Sequence, residues 1–338
     1  MKRPAFIRSG DVIGVTAPSA GASDPLDKIR FEHAEGNLKN RGYSVRYTPN
    51  VFTDIGDERS SPAEQRAREL ESLIADKDVR YILSASGGSK LNEIYEFLDM
   101  SGLRGDPKWI QGYSDNTDIL LTATVRYDVM SIYCGNFGDY GMEPWHISVS
   151  QNLEFVEGKR SSQESFPMYA DGFTDRITGL EPFQCTVESE WKGESSFSGR
   201  LIGGCTDKLR EIVGTDRDRM RDFVERYRDD GIIWFMETYE SDPEGIISDL
   251  RAMKESGWFE NVSGFVFGRP LFFTGDYIGS VSSVLSDLGK PMIFDADVSH
   301  KAPRMTFING AIANVTVSEG RGRLDYPEFK AKDNKQSP

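Results

Sequence analysis

The chain has 338 residues, 38% of them hydrophobic, a length at which two domains are expected. Forty basic against 54 acidic residues leave a formal charge of −14, which argues against a nucleic-acid polymer or an anionic membrane as the main partner. No apolar run approaches the roughly 20 residues that span a bilayer, MKRPAFIRSGD lacks the apolar core of a secretory signal, and Cys134, Cys185 and Cys205 match no metal-ligand spacing, so a cytoplasmic protein without a metal site is expected.

In chain order, DVIGVTA (11–17) reads as an apolar strand ended by the turn-rich PSAGASDP. An amphipathic helix follows from about Leu26 to Lys39 and is stopped by Gly42. YSVRYT (43–48) alternates as a strand, Ser-Ser-Pro at 60–62 opens a charged helix to about Asp76, and VRYILSA (79–85) is the next strand. SGGSKLNEIYEFLD turns on two glycines into another helix, while KWIQGY and DVMSIYC are strands flanking the helix after Ser114. Such alternation predicts a parallel sheet covered by helices on both faces, with ligands beyond the C-terminal ends of its strands.

Residues 137–170 are rich in Gly, Ser, Glu and aromatics without a sustained period, and 137–194 reads as a linker and insertion. Order resumes with FSGRLIGGCTDKLREIVGT (197–215), and GIIWFMETYE (231–240) is an apolar strand ending in acids. A helix over about 243–256, the strand VSGFVFG (262–268), the helix YIGSVSSVLSDLG and the strand PMIFDADVSH follow. MTFINGAIANVTV (305–317) predicts a hairpin turning at Asn309-Gly310. The expected division is an α/β domain at 1–136, the insertion at 137–194, a C-terminal domain at 195–330 and a polar tail at 331–338.

Ser114 stands where a strand meets a helix. Such an elbow exposes a hydroxyl and aims the N–H of the next residue, Asp115, at a developing oxyanion. The same position suits a helix N-cap, and Asn116 replaces the second glycine of a nucleophile elbow, so the stretch fits either role. Of the three histidines, His33 falls within a helix and His146 in the aperiodic stretch. His300 follows an apolar strand in a loop, where a general base belongs. Glu237 ends the strand IIWFM and ranks first as the acid that orients an imidazole, with Glu240, Asp242, Asp295 and Asp297 as rivals. The Gly87-Gly88 turn offers amides to an oxyanion or a substrate carboxylate, or is a plain tight turn. Neither a P-loop nor a dinucleotide fingerprint is present.

GDVIGVTAPSAG, GGSKLNEIYEFLD, GYSDNTDILL, GRLIGGCTDKLREIVGT, METYE and DVSHKAPRMTFINGAIA occur in this order. Together they resemble the LD-carboxypeptidase and microcin C self-immunity family of serine peptidases over nearly the whole chain. The resemblance implies a flavodoxin-like parallel-sheet N-terminal domain, a smaller β-rich C-terminal domain and a homodimer. It implies a triad of Ser114, Glu237 and His300, oxyanion donation by the amides of Gly88 and Asp115, substrate contacts from Gly87 and Trp191, and no cofactor. Ser86 stands where the carboxypeptidase branch has an arginine, and Cys205 where members often have asparagine. Ser86 and the insertion carrying Trp191 point to the self-immunity branch. The expected activity is amide hydrolysis in an aminoacyl or peptidyl nucleotide, its base stacked on Trp191, Trp145 or Tyr140. One alternative is removal of a C-terminal D-amino acid from cell-wall tetrapeptides. Another, from a different class, is a non-catalytic two-domain protein that binds a small molecule.

Overall fold

The apolar strands of the first third lie side by side in the computed structural model, which describes residues 1–330. In spatial order they are Ser44–Tyr47, Val12–Thr16, Val79–Ser84, Trp109–Gly112 and Ser131–Tyr133, all parallel. Phe307–Asn309 closes the edge antiparallel to Ser131–Tyr133. Helices Pro25–Lys39, Ala63–Ala75 and Thr117–Val125 connect these strands. The inner strands are buried nearly throughout, which is why they read as unbroken apolar runs. Helix Ala63–Ala75 turns Ala67, Leu70, Leu73 and Ile74 inward, the stripe its helical period dictates.

The second sheet has seven strands. Met292–Ala296, Val262–Gly268, Ile232–Glu237 and Ser195–Cys205 are parallel neighbours, followed by Ile312–Ser318, Arg321–Asp325 and Ser162–Glu164 in antiparallel pairing. Strand periodicity divides its core in two. Ile233 and Phe235 join the hydrophobic cluster of the first sheet, whereas Trp234 and Met236 face a second cluster with Leu250 and Met253 of helix Pro243–Glu255. The expected mixed α/β architecture with a parallel N-terminal sheet is the observed one.

Three local expectations are corrected. The aperiodic stretch contains helix Ile147–Val156, opened by His146, whose ring nitrogen accepts from the amide of Ser148. The segment after Gly87-Gly88 forms only a 3-10 turn, Leu91–Glu96. Asn309-Gly310 does turn the chain, with Gly310 at φ +85°, but its arms enter different sheets instead of pairing with each other. The turn therefore stitches the sheets together. Among the described residues no helix is long and apolar enough to cross a membrane. The tail expected at 331–338 lies outside the described residues.

Candidate active site

The strands Trp109–Gly112 and Ile232–Glu237 bring their C-terminal ends together through the Tyr133 phenol, at the end where parallel sheets place their ligands. Ser114 follows the first with φ +62°, a left-handed conformation that is sparsely populated for a residue with a Cβ and is characteristically held at functional turns. It opens the turn Ser114–Asn116 ahead of helix Thr117–Val125, and neither element receives a side-chain cap at its N-terminus. Ser114 is thus not a helix cap. Its amide donates to the phenol oxygen of Tyr133 at 3.1 Å, and its carbonyl accepts from Thr117 Oγ1 at 2.7 Å.

Asn116, the residue that departs from the glycine pattern, has a structural reason. Its buried amide donates to the carbonyls of Ser86 at 2.9 Å and Tyr113 at 3.0 Å, tying the glycine loop to the elbow. Gly112 makes room for it, since a Cβ there would stand 2.8 Å from the Asn116 Cβ. A Cβ on Gly87 would come within 3.5 Å of Ser114 Oγ, so that glycine lies directly against the hydroxyl. Gly88 has φ +142°, a conformation that L side chains rarely adopt. Asp115 uses its buried carboxylate to accept from Ser19 Oγ and from the Leu91 amide at 2.9 Å, with Lys208 Nζ at 3.3 Å. Its own N–H belongs to the first turn of a helix, where amides have no intrahelical partner.

Glu237 is fully buried at the end of its strand. Its Oε2 meets His300 Nδ1 at 2.8 Å, and its Oε1 accepts from the Tyr133 phenol at 2.5 Å. Burial alone would raise this carboxyl. Opposing it are the charge and hydrogen bond of His300, the Tyr133 donor and the charge of Arg304, which together hold it below 4.5. With Nδ1 engaged, Nε2 is the free ring nitrogen of His300, a residue that lines the cleft and packs against the rings of Tyr113 and Tyr239. The four rivals are engaged elsewhere, Asp295 with Lys192 at 2.7 Å. Glu240 sits on the short strand Glu240–Ser241, Asp242 caps helix Pro243–Glu255, and Asp297 pairs with Arg269.

The cleft encloses about 410 Å³ and contains groups absent from the sequence reading. Arg304, four residues after His300, is buried with Nε on the Ser299 carbonyl at 2.7 Å and Nη2 on the His300 carbonyl at 3.1 Å. Its Nη1 is 3.6 Å from Asp139, which also lines the cleft. Its place in the loop SHKAPRM was a usable signal, because a cation so near a candidate base is uncommon in a buried loop. Tyr133 carried no such signal, standing in an ordinary apolar strand.

Trp191 is corrected. The indole is 2% exposed, donates to Asp297 Oδ2 at 3.2 Å and packs onto Gly322, whose added Cβ would stand 2.2 Å from the ring. A ring filling the core cannot stack on a ligand. Tyr140 is equally buried, and Trp145 lies beneath Arg41 at 3.7 Å. The aromatics at the cleft are instead Phe31, Tyr113, Phe173 and Phe183, with Tyr239 and Phe272 in contact with Phe173. Cys205 pairs in register with Glu237, and burial followed by the adjacent Glu237 and Asp207 carboxylates keeps its thiol protonated. Its amide donates to Thr117 Oγ1 at 2.9 Å, extending the support of the elbow. Among the described residues no three His, Cys, Asp or Glu side chains are grouped to hold a metal ion.

Residues 13–134 match the LD-carboxypeptidase N-terminal domain and residues 198–315 the LD-carboxypeptidase C-terminal domain. A Vibrio cholerae protein named as a carboxypeptidase is 27% identical over 96% of each chain. The microcin C7 self-immunity protein MccF of Escherichia coli is 25% identical over 88% of each. MccF in complex with aspartyl sulfamoyl adenosine superimposes with a TM-score of 0.81 at 21% identity, over 97% of this chain and 99% of that one.

Proposed function

The chain belongs to the LD-carboxypeptidase family of serine peptidases, and from that premise we propose that it cleaves an amide bond in a small peptide-like substrate through an acyl-enzyme on Ser114. The observation that carries this reading is the buried Glu237–His300 pair, 2.8 Å apart, joined through the Tyr133 phenol to the amide of a serine held at positive φ. His300 Nε2 takes the Ser114 proton as Oγ attacks the scissile carbonyl. Glu237 fixes the tautomer and stabilises the imidazolium. The amides of Asp115 and Gly88 receive the oxyanion, and each such donor contributes roughly 3–4 kcal/mol to the transition state. His300 then passes its proton to the leaving amine, and a water activated by the same nitrogen releases the acyl group. In this division of labour residues 1–136 supply the nucleophile and 195–330 the acid and base.

The substrate class we propose is an aminoacyl or peptidyl nucleotide. Support comes from the fold shared with MccF, solved in complex with aspartyl sulfamoyl adenosine, and from Phe173 in the cleft lining with Tyr239 and Phe272 packed against it, which offer aromatic faces to a base. The enzyme is taken to act as a cytoplasmic homodimer, as the family resemblance implies. One observation favours the second reading, removal of a C-terminal D-amino acid: buried Arg304 is placed to receive a terminal carboxylate.

Hydrolysis of an aminoacyl sulfamoyl adenylate and of a cell-wall tetrapeptide by wild type and Ser114→Ala decides among these. Serine-dependent release of the amino acid from the adenylate is expected. Cleavage of the tetrapeptide alone selects the carboxypeptidase reading. Tight binding of either compound, with neither cleaved, returns the protein to the non-catalytic class.

A further inference from the structure

Tyr133 connects the two halves of the site. It is the last residue of strand Ser131–Tyr133, in register with Gly112 on one side and Phe307 on the other, and its side chain is 1% exposed. From the first sheet its phenol reaches Glu237 at the end of a strand of the second. The oxygen accepts from the Ser114 amide at 3.1 Å while its proton goes to Glu237 Oε1 at 2.5 Å. The other carboxylate oxygen holds His300 at 2.8 Å. One hydroxyl therefore joins the backbone of the candidate nucleophile to the acid that orients the candidate base.

We infer that Tyr133 is a positioning residue of the hydrolytic site, holding the Ser114 elbow and the Glu237 carboxylate in mutual register. The inference rests on the serine-peptidase reading of Ser114 proposed above. Three consequences follow from the geometry. With the phenol on Oε1 and His300 on Oε2, the two bonds fix the carboxylate rotamer. The Ser114 amide is committed to the phenol, so it is not an oxyanion donor, and that task falls to the next amide and the glycine loop. The left-handed backbone at Ser114 also gains an anchor from outside its own turn, the kind of surrounding support that such a conformation requires. Burial, with the Glu237 charge beside it, keeps the phenol protonated well above its ordinary range, so donor and acceptor roles do not exchange.

The test is inactivation by a fluorophosphonate, which needs no knowledge of the natural substrate. Ser114 Oγ forms a bond to phosphorus, fluoride leaves, and the serine proton passes to His300. Tyr133→Phe is expected to lower the limiting inactivation rate by about ten- to hundredfold, the effect of leaving a buried charged acceptor and a buried amide each short of one partner. The half-saturating reagent concentration stays within about twofold, a split that loss of packing would not produce. Labelling of Tyr133→Phe at the wild-type rate overturns the inference while leaving the nucleophile in place. Wild-type labelling that survives in Ser114→Ala overturns the serine reading and the inference with it.

Should Tyr133→Phe not fold, the wild-type protein carries the test through the Tyr133 hydroxyl proton in NMR of tyrosine-labelled enzyme. An exchange-protected, downfield resonance that moves in His300→Ala supports the coupling. A freely exchanging hydroxyl, insensitive to His300, contradicts it.

Discussion

Arg304 lies over the ring of Tyr113, its guanidinium carbon 4.0 Å from the ring centroid, and so stands one residue from Ser114 on one side and on the carbonyl of His300 on the other. Stacking and two backbone acceptors hold the cation rigid in a buried setting. Burial disfavours its charge, but the neighbouring Tyr113 and Asp139 more than compensate, and the guanidinium stays ionised.

A rigid, buried guanidinium recognises an anionic group. Arg304→Lys is expected to lower kcat/KM by roughly ten- to hundredfold for a substrate with a free carboxylate beside the scissile amide, the equivalent of losing one charged hydrogen bond. The loss falls mainly in KM, and the carboxamide analogue is affected less than about threefold. Equal losses on both compounds would remove Arg304 from recognition.

Gly87 is expected to tolerate no side chain. In Gly87→Ala the new Cβ stands 3.3 Å from Ser114 Cβ and presses on the hydroxyl, so kcat falls by about tenfold or more while the melting temperature changes little. Gly88→Ala differs, because φ +142° strains any L residue, and it is expected to destabilise the fold by about 1–3 kcal/mol. Calorimetry and steady-state kinetics on the two variants separate these effects.

Trp191→Phe should act on stability alone. It leaves Asp297 without the indole donor and opens space over Gly322, an expected loss of about 1–3 kcal/mol. Activity per folded molecule should match wild type on an aminoacyl nucleotide. A raised KM at unchanged stability would restore the stacking role that its burial removes.

Trp191 also marks where the sequence stops being legible. The parallel first sheet follows from strand–helix alternation, and Glu237 and His300 stand out as candidates at apolar strand ends, because these are local patterns. An aromatic in the insertion gives no direction for its ring, and this one packs in a core assembled from residues 297 and 322. The strand Phe307–Asn309 reads as the arm of a hairpin for the same reason, since its partner, Ser131–Tyr133, is about 175 residues away. Ser114 could not be separated from a cap because a positive φ leaves no mark on a serine. Tyr133 was invisible until two sheets came together, as its importance lies in what it joins.

Asp118 predicts a pH dependence of stability. It lies one turn after Ser114, buried against Arg217, and burial outweighs that partner to raise its carboxyl from 3.8 to about 6. The folded state then holds a proton that the unfolded chain releases, so stability falls as pH rises from about 4 to about 6 and is level above that. The loss across that window is about 3 kcal/mol. Denaturation of wild type and Asp118→Asn from pH 4 to 7 checks this. Their stability difference should move against wild type across that window and be constant beyond it, whereas a flat difference would show that Asp118 stays ionised.

The measurement that tests the central claim most directly is peptide mapping by mass spectrometry after reaction with a fluorophosphonate. The account predicts one adduct, on Ser114, that is absent in Ser114→Ala and strongly slowed in His300→Ala. An adduct on Ser19 or elsewhere, or labelling that persists without Ser114, would contradict the assignment of the nucleophile and the mechanism built on it.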